Sequence, residues 1–464
     1  MIALVLLGLA HADRPDDGTA QFSFDAADVL DFVDGPAGAV RVHFSVSGPN
    51  VTLLDDGDGD GQPDYPAEVA ATAEDVLAFY SSLGFLPPLS EDDLGLGKLG
   101  GSSAFDFYLV DFGGSSDGHF SADACAGDVC TGHMIIENDF VGYGYSSISE
   151  AVTVLTSHEL FHAVQAAYSA GQPPWLSEGT AVWAEHQYDA EVDDFFGFCD
   201  AYLRDTGRSI DRPPAGTVTA FSYGTALFFQ FLTERLGAGV GPDIQLAMEG
   251  TDEDEAMAAV VSVIEAHGSS IEEEWATFTR WNLATGPLAG EAESYPFASR
   301  VGPVTQEASG ASIVDDNRFY PLAATYYSLD HDGGELGFES AEDASGLVFS
   351  LHPTGDDGKV LDPLEVWSPD GPVSLRFGDL PAARYWLVGS FPQQAEQSVK
   401  VAFCLGGPDA TAACAPEVGD SGDADTGGAA PEPKGCHHIP AGHTLPAVIL
   451  AWGIVAANSR RRDG

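Results

Sequence analysis

Six consecutive residues, Ser157-His158-Glu159-Leu160-Phe161-His162, combine the side chains that metal-assisted hydrolysis requires. Four residues make about one helical turn, so on a helix His158 and His162 share a face and their imidazoles converge on one ion. Zinc takes such nitrogen ligands, and a catalytic zinc site uses three protein ligands plus a position for water. Glu159, beside the first histidine, is placed to take a proton from that water. The third ligand is offered by Glu178, within Trp175-Leu176-Ser177-Glu178-Gly179-Thr180-Ala181-Val182-Trp183-Ala184-Glu185. Pro173 and Pro174 end the connection, and a second helix starting there folds back and returns Glu178 to the histidines. Glu185 falls two turns down the same face, where it can support a ligating histidine from behind. A group that stabilises the oxyanion completes such a site. Tyr223 and His186 are the candidates.

A second cluster of possible ligands is Asp56-Gly57-Asp58-Gly59-Asp60-Gly61-Gln62-Pro63-Asp64, within an Asp-rich loop spanning 55–64. Asp56, Asp58, Asp60, Gln62 and Asp64 follow the ligand rhythm of EF-hand calcium loops, with glycine at the sixth position. Ala67 stands where the bidentate acid belongs, and Glu68 comes one residue later. A structural Ca2+ is expected here, stiffening the approach to the next helix.

The elements that must position these groups follow from periodicity. AVRVHFSV, AFDFYLVDF and GHMIIENDF read as strands, and EVAATAEDVLAFYSSLG as a helix. Ser149 to Ala170 contains no Gly or Pro and forms the long helix that carries the histidines. Further helices are expected over FSYGTALFFQFLTERLG, stopped by Gly237, and over IEEEWATFTRWNLA. From 290 to 408 short apolar runs (GLVFSLHP, VSLRFGDL, RYWLVGSF, VKVAFCL) alternate with Gly, Pro and Asp, the pattern of a β-sandwich module. The expected organisation is an apolar signal segment over 1–12, an α+β domain over 13–285, the β module over 290–408, a Gly/Asp/Pro linker over 409–435 and a tail over 436–464. Residues 13–35 have the length of a short prosegment.

Composition narrows the partners. The chain of 464 residues carries 72 acidic and 18 basic residues, a net charge of −54. Such a surface repels nucleic acid and anionic lipid. Cys125 with Cys130 and Cys404 with Cys414 are close enough in sequence to close small disulfide loops in an exported protein, and Cys199 lies outside both pairs. No serine-hydrolase elbow and no phosphate-binding P-loop occurs.

HELFHAVQ followed by WLSEGTAVWAE resembles the gluzincin metallopeptidases, the superfamily of thermolysin-like enzymes and zinc aminopeptidases. Their second motif has the form EG-x-A-x-x-x-E, which falls on Glu178 and Glu185. The resemblance implies a gluzincin-like zinc peptidase domain, one catalytic Zn2+, a peptide or protein substrate, and an edge strand ahead of the zinc helix that pairs with the substrate backbone. GHMIIENDF occupies that position, and its residues fit a plain core strand equally well. The spacing between the motifs is shorter than in thermolysin-like enzymes, so pocket details do not carry over. Over roughly residues 36–285 the chain is also similar to secreted metalloproteases of myxobacterial type, which commonly carry a DxDxDGxPD loop. The end of the chain, Cys436 before an apolar stretch and Arg460-Arg461-Arg462, resembles the sorting tails of those bacteria, with Cys436 at the processing site. These likenesses imply a monomeric protein exported to the cell surface or beyond, touching membrane only through its tail. Two other readings remain open: a catalytically silent surface-binding protein, and a zinc hydrolase of non-peptide substrates.

Overall fold

The computed structural model describes residues 14–18, 20–192, 194–213, 218–412 and 414. The signal segment, most of the linker, Cys436 and the tail lie outside them. The architecture is mixed α+β. Strands β1 (Val29–Asp34) and β2 (Val40–Ser47) precede helix α1 (Asp64–Leu83), and β3 (Phe105–Val110), β4 (Gly118–Ala126) and β5 (Val129–Glu137) follow it. A helical half comes next: α2 (Ile148–Ala166), α3 (Pro174–Tyr188), α4 (Phe195–Leu203), α5 (Ala220–Gly224), α6 (Ala226–Leu236), α7 (Val240–Ala247), α8 (Ala256–Ala266) and α9 (Ile271–Leu283).

The first sheet has the order β1-β2-β3-β5-β4, with β2, β3 and β5 parallel and the two outer strands antiparallel. Phe107 and Leu109 of β3 face the core shared with the helices, while Tyr108 and Val110 face a smaller cluster on the other side. A strand covered on both faces reads as a continuous apolar run rather than an alternation, as FDFYLV does. GHMIIENDF is not the edge strand. It contributes β5, flanked by β3 and β4, and the edge is β4, whose sequence GHFSADACA is too polar and too rich in small residues to announce a strand. The Cys125–Cys130 disulfide closes the β4–β5 hairpin at its turn.

The described part of the stretch 13–35 packs on the first sheet. Val29–Asp34 pairs along β2, and Phe24 is buried against the outer face of the sheet. The helix expected over FSYGTALFFQFLTERLG divides at Thr225, whose hydroxyl bonds the carbonyls of Trp175 at 2.5 Å and Ser222 at 2.6 Å, tying the break to α3. Gly237 ends α6 as expected, at φ 97°.

The remaining strands are β6 (Gln306–Gly310), β7 (Ile313–Phe319), β8 (Ala324–His331), β9 (Gly334–Ser340), β10 (Val348–Pro353), β11 (Glu365–Trp367), β12 (Val373–Leu380), β13 (Ala383–Ser390) and β14 (Val399–Gly406). They form two sheets, β11-β10-β13-β8-β6 and β12-β9-β14-β7, facing each other across one apolar core that includes Phe338, Phe349, Leu387 and Phe403. The module runs past the expected boundary at 408: helix α10 (Pro408–Ala412) continues it, and the Cys404–Cys414 disulfide ties this end to β14. The outer face of the first of these sheets packs on the helical half, where the Tyr326 hydroxyl bonds the Thr279 carbonyl at 3.0 Å and Trp386 and Val388 join the larger core. Among the described residues no helix is long and apolar enough to cross a membrane.

His352 of β10 makes this arrangement acid-sensitive. Its Nδ1 lies 3.1 Å from the Leu361 carbonyl and its Nε2 3.0 Å from the Ser350 hydroxyl. Burial lowers its pKa from 6.5 to about 4; Arg280 adds to the lowering, against the Leu361 carbonyl and Asp362. Because the folded value is the depressed one, its contribution is intact above pH 6.5 and is lost as pH falls toward 4, where the unfolded chain takes a proton the folded one refuses. The loss amounts to about 2 kcal/mol by pH 5. Urea unfolding at pH 7 and pH 5 should show this decline in the wild type and a smaller one in His352→Gln. Equal declines in the two proteins would remove His352 as the cause.

Candidate metal centre

Helix α2 starts at Ser147, whose hydroxyl accepts the Glu150 amide at 3.0 Å. It is buried along most of its length, and the Tyr80 hydroxyl of α1 bonds the Ser157 carbonyl at 2.7 Å one residue before the first histidine. Helix α3 starts at Pro174, where a fixed φ and a missing N–H suit the first turn. It returns alongside α2, and α3 also approaches the Thr225 junction closely at Gly179. A Cβ at Gly179 would lie 2.1 Å from Thr225 Oγ1 and 3.0 Å from the Phe229 ring, so only glycine permits this approach beside Glu178.

The two helices bring His158, His162 and Glu178 together. Each histidine Nε2 lies 3.4 Å from Glu178 Oε2, and the three prospective ligand atoms fall within 4.8 Å of one another. The opposite ring nitrogens are held from behind. His158 Nδ1 lies 3.3 Å from Glu185 Oε2, and His162 Nδ1 lies 2.8 Å from Gln165 Oε1. Both partners are fixed in turn: Glu185 Oε1 accepts the Asp194 amide at 2.6 Å, while Gln165 Nε2 donates to the Ser177 carbonyl at 2.7 Å and to Thr180 Oγ1 at 2.8 Å. An Nδ1–H donated to these oxygens leaves each Nε2 lone pair directed at the Glu178 carboxylate.

Three acceptors then face one another. Glu178 Oε2 is buried and has no hydrogen-bond partner. A cation satisfies such a cluster, and a tetrahedron with metal–ligand bonds of about 2.05 Å has edges of about 3.3 Å, close to the two 3.4 Å separations. Without a cation the site holds its charge with protons. Burial opposes protonation of His158, but Glu178 and Glu185 overcome it and raise its pKa well above the usual range; Glu178 does the same for His162. The two imidazoles hold the Glu178 carboxyl far below its ordinary value in spite of burial.

A cleft of about 370 Å³ opens onto this cluster. Gly118, His119 and Phe120 of the edge strand β4 form one wall, and Glu159, His162 and Gln165 of α2, with Ser169 just past its end, form the other. Glu159 sits between them. A Cβ at Gly118 would come within 3.4 Å of its Cγ, so the missing side chain leaves room for the carboxylate. Burial pushes the Glu159 carboxyl up, against the pull of His162 and His158. Tyr223 also lines the cleft, its ring 5.9 Å from that of His158 and stacked on Phe198. Burial and the nearby Glu178, Glu159 and Asp117 raise its pKa, so the hydroxyl keeps its proton at neutral pH.

Not every expected group arrives. His186 is stacked on Phe195 at 4.1 Å and is enclosed with Phe196 and Phe297, away from the cleft. It follows Glu185 by one residue, a rotation of about 100°, so a helix that aims Glu185 at His158 turns His186 aside. In the acidic loop Asp56, Asp58 and Asp64 bring carboxylate oxygens within 4.8 Å of one another. Asp60 is not part of that group; its Oδ1 accepts the Gln62 amide at 2.8 Å. Gln165, Asp117 and the β4 wall were not read from the sequence. Gln165, three residues beyond His162, is the one with a signal: a polar residue one turn on shares the ligand's face.

No family model and no curated protein matches the chain. Among solved structures, the chain is similar to the pre-peptidase C-terminal domain of a collagenase from Bacillus anthracis, with 10% identity, 23% of this chain and 98% of that one covered, and a TM-score of 0.18. It is also similar to PliG of Aeromonas hydrophila, a periplasmic inhibitor of g-type lysozyme, with 16% identity, coverage of 22% and 96%, and a TM-score of 0.15.

Proposed function

We propose that the chain is a zinc-dependent peptidase of gluzincin type, working outside the cell, with His158, His162 and Glu178 as the metal ligands. The observation that carries this reading is the buried, partnerless Glu178 Oε2, 3.4 Å from two imidazole nitrogens whose other sides are occupied. When held there, zinc supplies Lewis acidity to a carbonyl and to water. The chain's own residues do the rest. Glu159 accepts the proton of the attacking water and hands it to the leaving amine. Tyr223 donates its hydroxyl toward the oxyanion, and β4, with a free edge beside Glu159, pairs with an extended substrate backbone. The two disulfides support an exported location.

The test is cleavage of a mixed quenched-peptide library by zinc-loaded, chelator-stripped and zinc-restored protein. Cleavage that disappears and returns with zinc supports the reading. A zinc-loaded protein that cuts no peptide in the library counts against it and favours a non-peptide substrate or a binding role.

The loop at 55–64 is assigned to a structural calcium, on the support of Asp56, Asp58 and Asp64. Calcium should raise the Tm of the wild type and leave Asp56→Asn/Asp58→Asn unmoved. A calcium response that survives the double substitution rejects this loop as the site.

A further inference from the structure

Far from the metal ligands in sequence, Arg14 is 3% exposed and donates all five of its guanidinium N–H groups. Nε and Nη2 reach Asp123 at 2.9 and 2.6 Å, Nη2 also reaches Glu91 at 2.5 Å, and Nη1 reaches Asp106 at 2.6 Å and the Tyr108 hydroxyl at 3.2 Å. The receiving carboxylates are themselves fixed. His43 Nε2 lies 2.9 Å from Asp106 and His133 Nδ1 lies 3.0 Å from Asp123, and both aspartates are 1% exposed. This is a socket built for one guanidinium on the outer face of the first sheet.

Two features connect the socket to the cleft on the other side. The β4–β5 register shifts between Ala122 and Ala124, which makes Asp123 the extra residue of a bulge in the edge strand. Bulges bend and twist a strand and so re-aim the residues around them. In addition, the chain beyond Arg14 crosses the outer face. The Phe24 amide bonds the Pro15 carbonyl at 3.0 Å, and the Phe22 ring lies 4.3 Å from Phe112 and 5.6 Å from His119. His119 lies on β4 and lines the cleft.

We propose that Arg14 is a positioning residue for the edge strand β4, holding the bulge at Asp123 so that Gly118–Phe120 present a fixed backbone to the substrate. Residues 14–18 and 20–24 are then a permanent strap of the working protein and not a removable prosegment. The part of this inference that concerns substrate rests on the peptidase reading. The part that concerns β4 does not.

The experiment compares zinc-loaded full chains of wild type, Arg14→Ala and Phe22→Ala by amide hydrogen exchange, zinc content and steady-state cleavage. In Arg14→Ala, exchange over Gly118–Ala126 is expected to rise about tenfold or more while α2 keeps its protection and zinc stays bound. KM should rise about tenfold with kcat within about twofold, the split expected when substrate is held less well and the chemical step is untouched. Adding about 10 mM guanidinium, which refills the socket, should restore β4 protection, and equal sodium chloride should not. Phe22→Ala, which leaves the socket intact, should loosen the His119 end of β4 alone. Should Arg14→Ala fail to fold, Arg14→Lys, which keeps the charge but cannot span both oxygens of Asp123, decides by the same exchange over Gly118–Ala126. Unchanged β4 exchange, or a rise spread evenly over sheet and helices, overturns the proposal. If the wild type cuts no peptide, the peptidase reading falls and the exchange data alone decide the role of Arg14.

Discussion

Glu159→Gln is expected to lower peptide cleavage by about 10²–10⁴-fold, the contribution usual for a positioned general base, while zinc content stays at the wild-type level. The separation of the two effects follows from placement. Glu159 is absent from the group formed by His158, His162 and Glu178, so its amide analogue removes no metal ligand. It lines the cleft against Gly118 of the edge strand, the place where the proposed pairing of substrate along β4 would bring the scissile carbonyl. Glutamine has nearly the same volume, so the wall against Gly118 is kept and only the proton acceptor is lost. Zinc content by mass spectrometry and kcat/KM on the best library peptide test this together. A variant that holds zinc and keeps more than about a tenth of wild-type kcat/KM would take Glu159 out of the role of base.

The parts of this site that are legible in the sequence are those set by helix geometry. Spacings of four and seven residues put His158 with His162, and Glu178 with Glu185, on common faces, and the Pro173-Pro174 pair marks where one helix must stop and the next begin. These relations are local, so they survive whatever the rest of the fold does. The strands that were read, such as VSLRFGDL for β12 and VKVAFCL for β14, lie where their apolar runs place them. What could not be read depends on long-range pairing. β4 has Ser121, Asp123 and two cysteine-flanked alanines where an alternating strand should have large apolar residues, because its outer face meets a guanidinium rather than a core. Its buried Asp123 is explained by Arg14, more than a hundred residues earlier, together with His133 of β5. The assignment of GHMIIENDF to the edge failed for the same reason: nothing in β5 itself says that another strand will cover it. His186 is a different case: one residue after Glu185, it is turned about 100° from the face that meets His158 and packs on Phe195 instead.

The second large effect concerns the metal itself. Glu178→Ala is expected to weaken zinc binding by about 10²–10³-fold, from an apparent zinc free energy of about 10–16 kcal/mol divided over four coordination positions. Glu185→Ala should cost less, about 10–100-fold, because it removes the acceptor that orients His158 and not a ligand. Gln165→Leu belongs with Glu185, since Gln165 does for His162 what Glu185 does for His158, and its own amide is anchored to the Ser177 carbonyl and Thr180. The ranking is sharper than any single value. Glu178 contributes the one oxygen shared by both imidazoles, so without it the two histidines face each other with no anion between them. Competition against a chromophoric chelator at fixed pH gives all three affinities on one scale. Equal losses for Glu178→Ala and Glu185→Ala would mean that both carboxylates contact the ion, and undiminished binding by Glu178→Ala would move the third ligand elsewhere.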